Sequence, residues 1–279
     1  MTQRPRFLMC PPEHFCVDYV INPWMEHQIG QTHAARAAAE WEDLRALLAQ
    51  GDDIDLLAPQ PGLPDMVFTA NAGLELDGTV VVSRFLTAER RGEEKFFHAF
   101  FETAGFRVAH WPENVAFEGA GDALRDEARD MIWCGHGWRT SDAAPALLEK
   151  IFARRVVPLR LIDPHFYHLD TCFCPLSGGA LLYYPAAFDA ASREAIEAIV
   201  PPQLRIAVEE ADARAFACNA VESRGRVVMN AASPKLRRRL LDAGFMPITT
   251  PLDEFMKAGG GAKCLTLRLG DAPGPEVSR

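Results

Sequence analysis

The sequence predicts an α/β fold assembled as a closed, propeller-like array of similar units. Three observations carry that expectation. Short runs of branched and aromatic residues recur along the 279 residues, and helical patterns lie between them. From Thr79 onward the strand-like runs begin at intervals of roughly 40 to 50 residues, a period that suits repeated strand–helix–strand units closing on themselves better than an open sheet.

The candidate strands are 6–9, 79–83, 131–134, 180–184, 226–230 and 264–268. Each is four to six residues long and is bounded by Gly, Asp, Pro or Asn, which is strand chemistry. Helices are expected over 34–50, 89–104, 142–153, 189–200 and 233–243, where apolar residues return every three or four positions. Leu44, Leu47 and Leu48 do so in the first, and Phe96, Phe97, Phe100 and Phe101 in the second. Ser141-Asp142 and Asp189 stand as caps before the third and fourth helices, and Ser233-Pro234 puts a cap before a proline at the first helical position. Gly105 and Gly244 sit where two helices should end.

Composition bounds the function. Hydrophobic residues make up 48% and charged ones 24%, with a mean hydropathy of −0.07, so the chain can bury a core and is not a solvated coil. The most apolar stretches, 79–85 and 179–188, fall short of the roughly 20 residues a bilayer helix requires. No apolar signal core follows Met1–Arg6, so a cytoplasmic location is expected. One domain is expected over 1–270, with 271–279, rich in Pro, Gly and Asp, as a flexible tail. The net charge is −9, from 38 acids against 29 bases. That field repels nucleic acid and would draw in a small cation; that it simply keeps a cytosolic protein soluble is the alternative.

Seven cysteines stand at 10, 16, 134, 172, 174, 218 and 264. The odd count and the absence of a C-x-x-C pair fit reduced thiols and no structural zinc. Cys172 and Cys174 lie close to His165 and His168, which could form a metal site. Alternation along a strand explains them as well, and no metal is assigned.

Four segments carry chemistry. Cys264 follows Gly259-Gly-Gly261-Ala-Lys263, where glycines allow close backbone approach to a ligand and Lys263 can favour a thiolate; packing at a strand start is the alternative. In His168-Leu-Asp170 an extended backbone would point both side chains to one face, pairing a histidine with a carboxylate as general acid–base work needs; a hydrogen-bonded core histidine is the alternative. Glu118 and Asp122 share a glycine-rich turn with a pair of acids suited to a guanidinium or amidinium, although Asp122 also reads as a helix cap. Asp65 and Asn71 lie in the polar, turn-rich stretch 64–73, and Arg84, Arg90, Arg91 and Arg139 offer partners for a substrate carboxylate.

Taken in order, Phe68-Thr-Ala-Asn71, Arg90-Arg-Gly-Glu93, Glu118-Gly-Ala-Gly-Asp122, His168-Leu-Asp170 and the glycine run into Cys264 resemble the guanidino-group-modifying superfamily, the penteins. That superfamily includes arginine deiminases, dimethylarginine dimethylaminohydrolases, arginine dihydrolases and amidinotransferases. The resemblance covers most of the chain, from about residue 65 to 268. It implies a five-bladed α/β propeller with pseudo-fivefold symmetry and a site on its axis. It also implies Cys264 as nucleophile, His168 as general acid and base, Glu118 and Asp170 gripping the guanidinium, and Arg90 and Arg139 holding the α-carboxylate. Neither metal nor organic cofactor is implied, and the partner expected is arginine or a derivative; a homo-oligomer is compatible with this reading.

One position departs from the deiminase and amidinotransferase pattern: Asn71 stands where they carry an aspartate. An amide grips a cation less firmly but can hold a ureido oxygen, so a citrulline-like intermediate could be attacked again. The arginine dihydrolases resemble the chain in having asparagine there, and its opening, Met9-Cys-Pro-Pro-Glu-His-Phe onward to Asn22-Pro-Trp-Met25, also looks like theirs; Asn22 becomes a second amide candidate. The leading expectation is therefore an arginine dihydrolase that forms ornithine, carbon dioxide and ammonia through a covalent S-alkylthiouronium. Deiminase or dimethylarginine hydrolase activity giving citrulline is the alternative, and a non-catalytic ligand-binding propeller is the alternative of another class. The segment 11–24 is the candidate for a loop over the site.

Overall fold

A computed structural model describes residues 4–270, so the tail expected at 271–279 lies outside the described residues. Five three-stranded sheets are present, one per unit of the repeat. The first holds β1 (Arg6–Met9) parallel to β2 (Asp53–Leu56). Then follow β3 (Gly73–Leu76), β4 (Thr79–Val82) and β5 (Arg107–Val108), and next β6 (Ala123–Asp126), β7 (Met131–His136) and β8 (Arg155–Arg160). The fourth sheet has β9 (Phe173–Pro175), β10 (Leu181–Tyr183) and β11 (Arg205–Ala207), and the fifth β12 (Val221–Ser223), β13 (Arg226–Met229) and β14 (Met246–Thr249). Last, β15 (Leu267–Leu269) returns to pair antiparallel with β1, so the first and last strands of the described residues share one sheet and the ring closes. This is the expected five-bladed α/β propeller.

Every unit follows the same logic. A first strand pairs antiparallel with a central strand, which pairs in parallel with a third. The antiparallel step needs only a short turn, and two of these, Asp77-Gly78 and Arg224-Gly225, place both residues at positive φ, as a two-residue turn matching strand twist requires. The parallel step needs a crossover. Five helices supply it: α1 (Ala34–Ala49), α2 (Glu94–Thr103), α3 (Ala144–Phe152), α4 (Ala190–Ile199) and, after the short α5 (Glu210–Arg214), α6 (Pro234–Asp242).

The expected central strands are all present except the last. Cys264 does not open a strand: 262–265 form a turn, and β15 begins at Leu267. The second helix also starts late, because 88–93 wind as a 3-10 turn that carries Arg90 and Glu93 inward. Asp189 and Ser233 cap their helices as expected, accepting from the backbone of Ser192 and Leu236. Ser141-Asp142 does not occupy the cap of α3, which falls to Ala143; the Ser141 hydroxyl accepts from Ala143 N at 3.3 Å, ahead of the helix. Gly105 and Gly244 end α2 and α6 at positive φ.

The helices bury one face against the sheets. Leu44 and Leu48 of α1 and Phe97 and Phe101 of α2 are fully buried, while Phe96 and Phe100 are half-buried. Each of the four fully buried side chains contributes about 1.5–3 kcal/mol by leaving water. The packed helices thus fix the five sheets around one axis, and what the sheets present at the end of that axis decides the function. No helix among the described residues is long and apolar enough to cross a membrane.

Candidate active site

Each first strand is entered through a tight turn: Thr69–Ala72 before β3, Gly119–Gly121 before β6, Leu169–Thr171 before β9, and the turns at 215–218 and 262–265 before β12 and β15. Hydrogen bonds tie these five turns into a ring. Ala70 N donates to Cys264 O (3.1 Å), Asn71 Nδ2 to Glu118 O (3.1 Å), Leu169 N to Asp122 Oδ1 (3.0 Å), Asn219 Nδ2 to Asp170 O (3.1 Å) and Cys264 N to Asn219 Oδ1 (3.1 Å). The repeat therefore gathers residues far apart in sequence at one end of the axis.

A small cavity lies at that end. Asp65, Asn71, Arg90, Arg139, Tyr167, Cys264, Ile21 and Asn22 line it, with Phe68, Ala258 and Gly260. A larger cavity, about 500 Å³, opens among the first strands and holds Glu75, Arg125, Glu222 and Lys263. The small one holds the buried thiol of Cys264 with Asp65 and Asn71, whereas His168, Glu118 and Asp170 are not among the residues that line it.

Cys264 is 2% exposed. Its Sγ lies 3.3 Å from Asp170 Oδ2 and accepts from Asn219 Nδ2 at 3.1 Å. Burial, and then the Asp170 carboxylate, push the thiol well above its ordinary range, so with the site empty it is protonated. Burial also pushes Asp170 up to about 7, against the opposing pull of Lys263. The thiol and the carboxyl share too few compensating charges to ionise together.

His168 differs from its expected setting. It lies extended at the head of the 3-10 turn Leu169–Thr171, and its Nε2 meets Glu118 Oε2 at 2.7 Å. Its carboxylate partner comes from another unit, and Asp170 turns instead to Cys264. Glu118 also accepts from Arg139 Nη1 (3.1 Å) and from the backbone of Leu86 (3.3 Å). Burial alone would raise Glu118, but Arg139, His168 and Arg90 outweigh it and hold the carboxyl at about 2.

The two expected arginines play unequal parts. Arg90 is locked: Nε and Nη2 grip Glu93 at 2.9 and 2.8 Å, Nη2 also reaches Asp65 O, and Nη1 donates to Asn71 Oδ1 at 2.8 Å. Arg139 donates to Glu118 and to Ile21 O (2.7 Å) and lies over the Tyr167 ring. With five N–H donors on a guanidinium, Arg139 keeps more of them for a ligand than Arg90 does. Arg84 pairs with Glu94 and Arg91 donates to the carbonyls of Phe85 and Leu86, so neither lines the cavity.

Asp122 is also displaced from its expected place. It does not line the cavity; it holds the turn before β9 through Leu169 N. Asn22 caps the turn Pro23–Met25 and donates to Ala258 O at 3.0 Å, tying 11–24 across the glycine run. Tyr19 from the same segment donates to Asp65 Oδ2 at 2.8 Å. His165 packs on Trp24 and bonds Asp163, outside the cavity. Cys172 and Cys174 are buried and donate to the carbonyls of Leu169 and Ala220; among the described residues no group of three His, Cys, Asp or Glu could hold a metal ion.

Asn219 is the residue the motif reading missed. Its signal is an internal repeat: Phe216-Ala-Cys-Asn219-Ala220 matches Phe68-Thr-Ala-Asn71-Ala72 position for position at the first, fourth and fifth residues.

A family model for N,N dimethylarginine dimethylhydrolase of the eukaryotic type matches residues 11–270. The chain belongs to the dimethylarginine dimethylaminohydrolase family. Within and around that family, the chain is 52% identical over 277 residues to the bifunctional arginine dihydrolase/ornithine cyclodeaminase AgrE of a Nostoc species, covering 99% of this chain and 39% of that protein. It is 38% identical to the N(G),N(G)-dimethylarginine dimethylaminohydrolase of Mycobacterium tuberculosis, covering 95% of this chain and 85% of that one. The crystal structure of the N-terminal domain of ArgZ, described as an arginine dihydrolase from the ornithine–ammonia cycle in cyanobacteria, superposes with a TM-score of 0.94 at 53% identity, over 95% of this chain and 97% of that one. The chain thus spans about two-fifths of the full bifunctional relatives, AgrE and the ArgZ of a Synechocystis species.

Proposed function

We propose that the chain is a cysteine-dependent hydrolase of guanidino C–N bonds that converts L-arginine to ornithine, carbon dioxide and ammonia. The observation that carries this reading is a buried thiol set in a cation trap. Asp65 and Glu93 pair with Arg90, and Glu118 with Arg139 and His168, while Asp170 forms no ion pair within 4.0 Å among the described residues and feels only the pull of Lys263. Asp65 Oδ1 and Asp170 Oδ1 are buried without a hydrogen-bond partner. Unpaired buried carboxylate oxygens are costly unless a ligand satisfies them, and a guanidinium brings both the charge and a fork of N–H donors.

The site chemistry follows. The cavity has an open volume of about 10 Å³, room for about one water, so the covering segment 11–24 must move aside for arginine to enter. A guanidinium beside Asp170 and Cys264 supplies the missing positive charge, and thiol and carboxyl can then both ionise. The thiolate attacks the guanidinium carbon, and His168, held by Glu118, gives a proton to the departing ammonia. Water activated by His168 attacks the S-alkylthiouronium, and the C–S bond breaks to leave a ureido group.

A second round distinguishes a dihydrolase. Asn71 has its Oδ1 fixed by Arg90 and one Nδ2 proton on Glu118 O, which leaves the other Nδ2 proton for a ureido oxygen. The thiolate then attacks the ureido carbon, the second ammonia departs, and water releases the carbamoyl group, which loses carbon dioxide and leaves the amine. Two waters are consumed and two ammonia formed per arginine. The dihydrolases at 52% and 53% identity support this reading. Hydrolysis of dimethylarginine to citrulline is the second reading, favoured by the family model and the mycobacterial relative. Cys264→Ser tests the nucleophile: the variant is expected to bind arginine without turnover, and appreciable ammonia release from it overturns the mechanism.

A further inference from the structure

Asn219 lies in the one unit of the ring that the motifs leave without a chemical role. Its side chain is fully buried and both ends are committed. Oδ1 accepts from Gly261 N and Cys264 N, both at 3.1 Å, so it pins the two ends of the turn that carries the nucleophile. Nδ2 has two protons and two acceptors, Asp170 O at 3.1 Å and Cys264 Sγ at 3.1 Å. The amide therefore cannot flip: turned over, its oxygen would face the Asp170 carbonyl and the sulfur, and its nitrogen would face two N–H donors. The backbone fixes its orientation, and one N–H is aimed at the sulfur.

We infer that Asn219 is a catalytic group of this site: it holds the Cys264 turn through its oxygen and stabilises the Cys264 thiolate through its N–H. The inference rests on the reading of Cys264 as the nucleophile. A sulfur with Asp170 Oδ2 on one side needs a donor on another if it is to carry negative charge in a buried site. A neutral amide supplies that donor without adding a positive charge, which would compete with the substrate cation for the same carboxylates. The same N–H remains available each time the thiolate departs from carbon, so it serves every cycle of attack and release.

Asn219→Asp separates the two roles. The carboxylate keeps an acceptor for Gly261 N and Cys264 N and keeps the shape of the side chain, while it removes the donors to sulfur and to Asp170 O and sets a negative charge where the sulfur had an N–H. The readout is the pH dependence of Cys264 alkylation by iodoacetamide in the ligand-free protein, with the label mapped to its peptide, alongside the steady-state constants for arginine. The expected result is an alkylation profile displaced to higher pH, with labelling at pH 8 slowed tenfold or more. The fall in turnover should appear in kcat rather than KM. Asn219→Ala, which loses both roles, should in addition lower the melting temperature. A wild-type alkylation profile in folded Asn219→Asp overturns the donor role whatever happens to turnover. Retained turnover in Cys264→Ser overturns the nucleophile reading instead, and the two failures are told apart because the label is read on Cys264 itself.

Discussion

Replacing Glu118 by glutamine probes the electrostatic centre of the site. Glu118 is fully buried, and its Oε2 is shared by Arg139 at 3.1 Å and His168 at 2.7 Å. Its carboxyl is held at about 2 against an ordinary 4.5, a difference that corresponds to about 3 kcal/mol in favour of the charged form. Breaking a buried ion pair by removing one partner costs about 3–5 kcal/mol, so the two routes agree. Because the folded-state value is depressed, this stabilisation is complete above pH 4.5 and is lost as pH falls from there toward 2. Glu118→Gln should therefore lower the unfolding free energy by about 3 kcal/mol at pH 7. The gap to wild type should narrow steadily below pH 4.5. Urea unfolding across that range measures it, with the m-value checking that the same surface is exposed. A gap that stays constant from pH 7 to pH 3.5 would refute the charge argument and leave only a packing effect.

Three further outcomes follow from the same geometry. Asn71→Asp keeps the acceptor for Arg90 but sets a carboxylate against Glu118 O, so the share of product released as citrulline should rise; an unchanged ornithine yield would count against the amide's role. At Gly121 an added Cβ would fall 2.2 Å from Asn71 Nδ2 and 3.3 Å from His168 Nδ1, so Gly121→Ala should cut kcat at least tenfold on arginine and lower the melting temperature by a few degrees, and wild-type turnover would show that these two side chains need not be held in place. Binding of arginine to Cys264→Ser at about pH 6.5 should release protons, because Asp170 sits at about 7 in the empty site and a neighbouring cation lowers it; calorimetry in buffers of different ionisation heat reads this, and a binding heat independent of buffer would contradict it.

Much of this architecture is legible in the chain, and what is not has physical causes. Central strands and crossover helices announce themselves because their burial demands branched and aromatic runs or a 3.6-residue period. The first strands of the units, such as Gly73–Leu76 and Val221–Ser223, are too short and too mixed to do so. Cys264-Leu-Thr-Leu reads as a strand by composition, yet the backbone N–H groups of Gly261 and Cys264 are taken by Asn219 and the segment turns. His168 and Asp170 share a short motif but not a partner. Which carboxylate reaches the imidazole depends on how the units pack, and local spacing does not encode that. Asp122 has the composition of a ligand and the position of a tie between turns. Asn219 is recoverable from sequence only by comparing the unit that contains it with the unit that contains Asn71.

The central claim is that one site hydrolyses the guanidino group twice. Product analysis on the purified protein with L-arginine tests it most directly, scoring ornithine, citrulline and ammonia in the same reaction. The account predicts ornithine with two ammonia per arginine consumed. Citrulline with one ammonia, and no ornithine at any time, would contradict it.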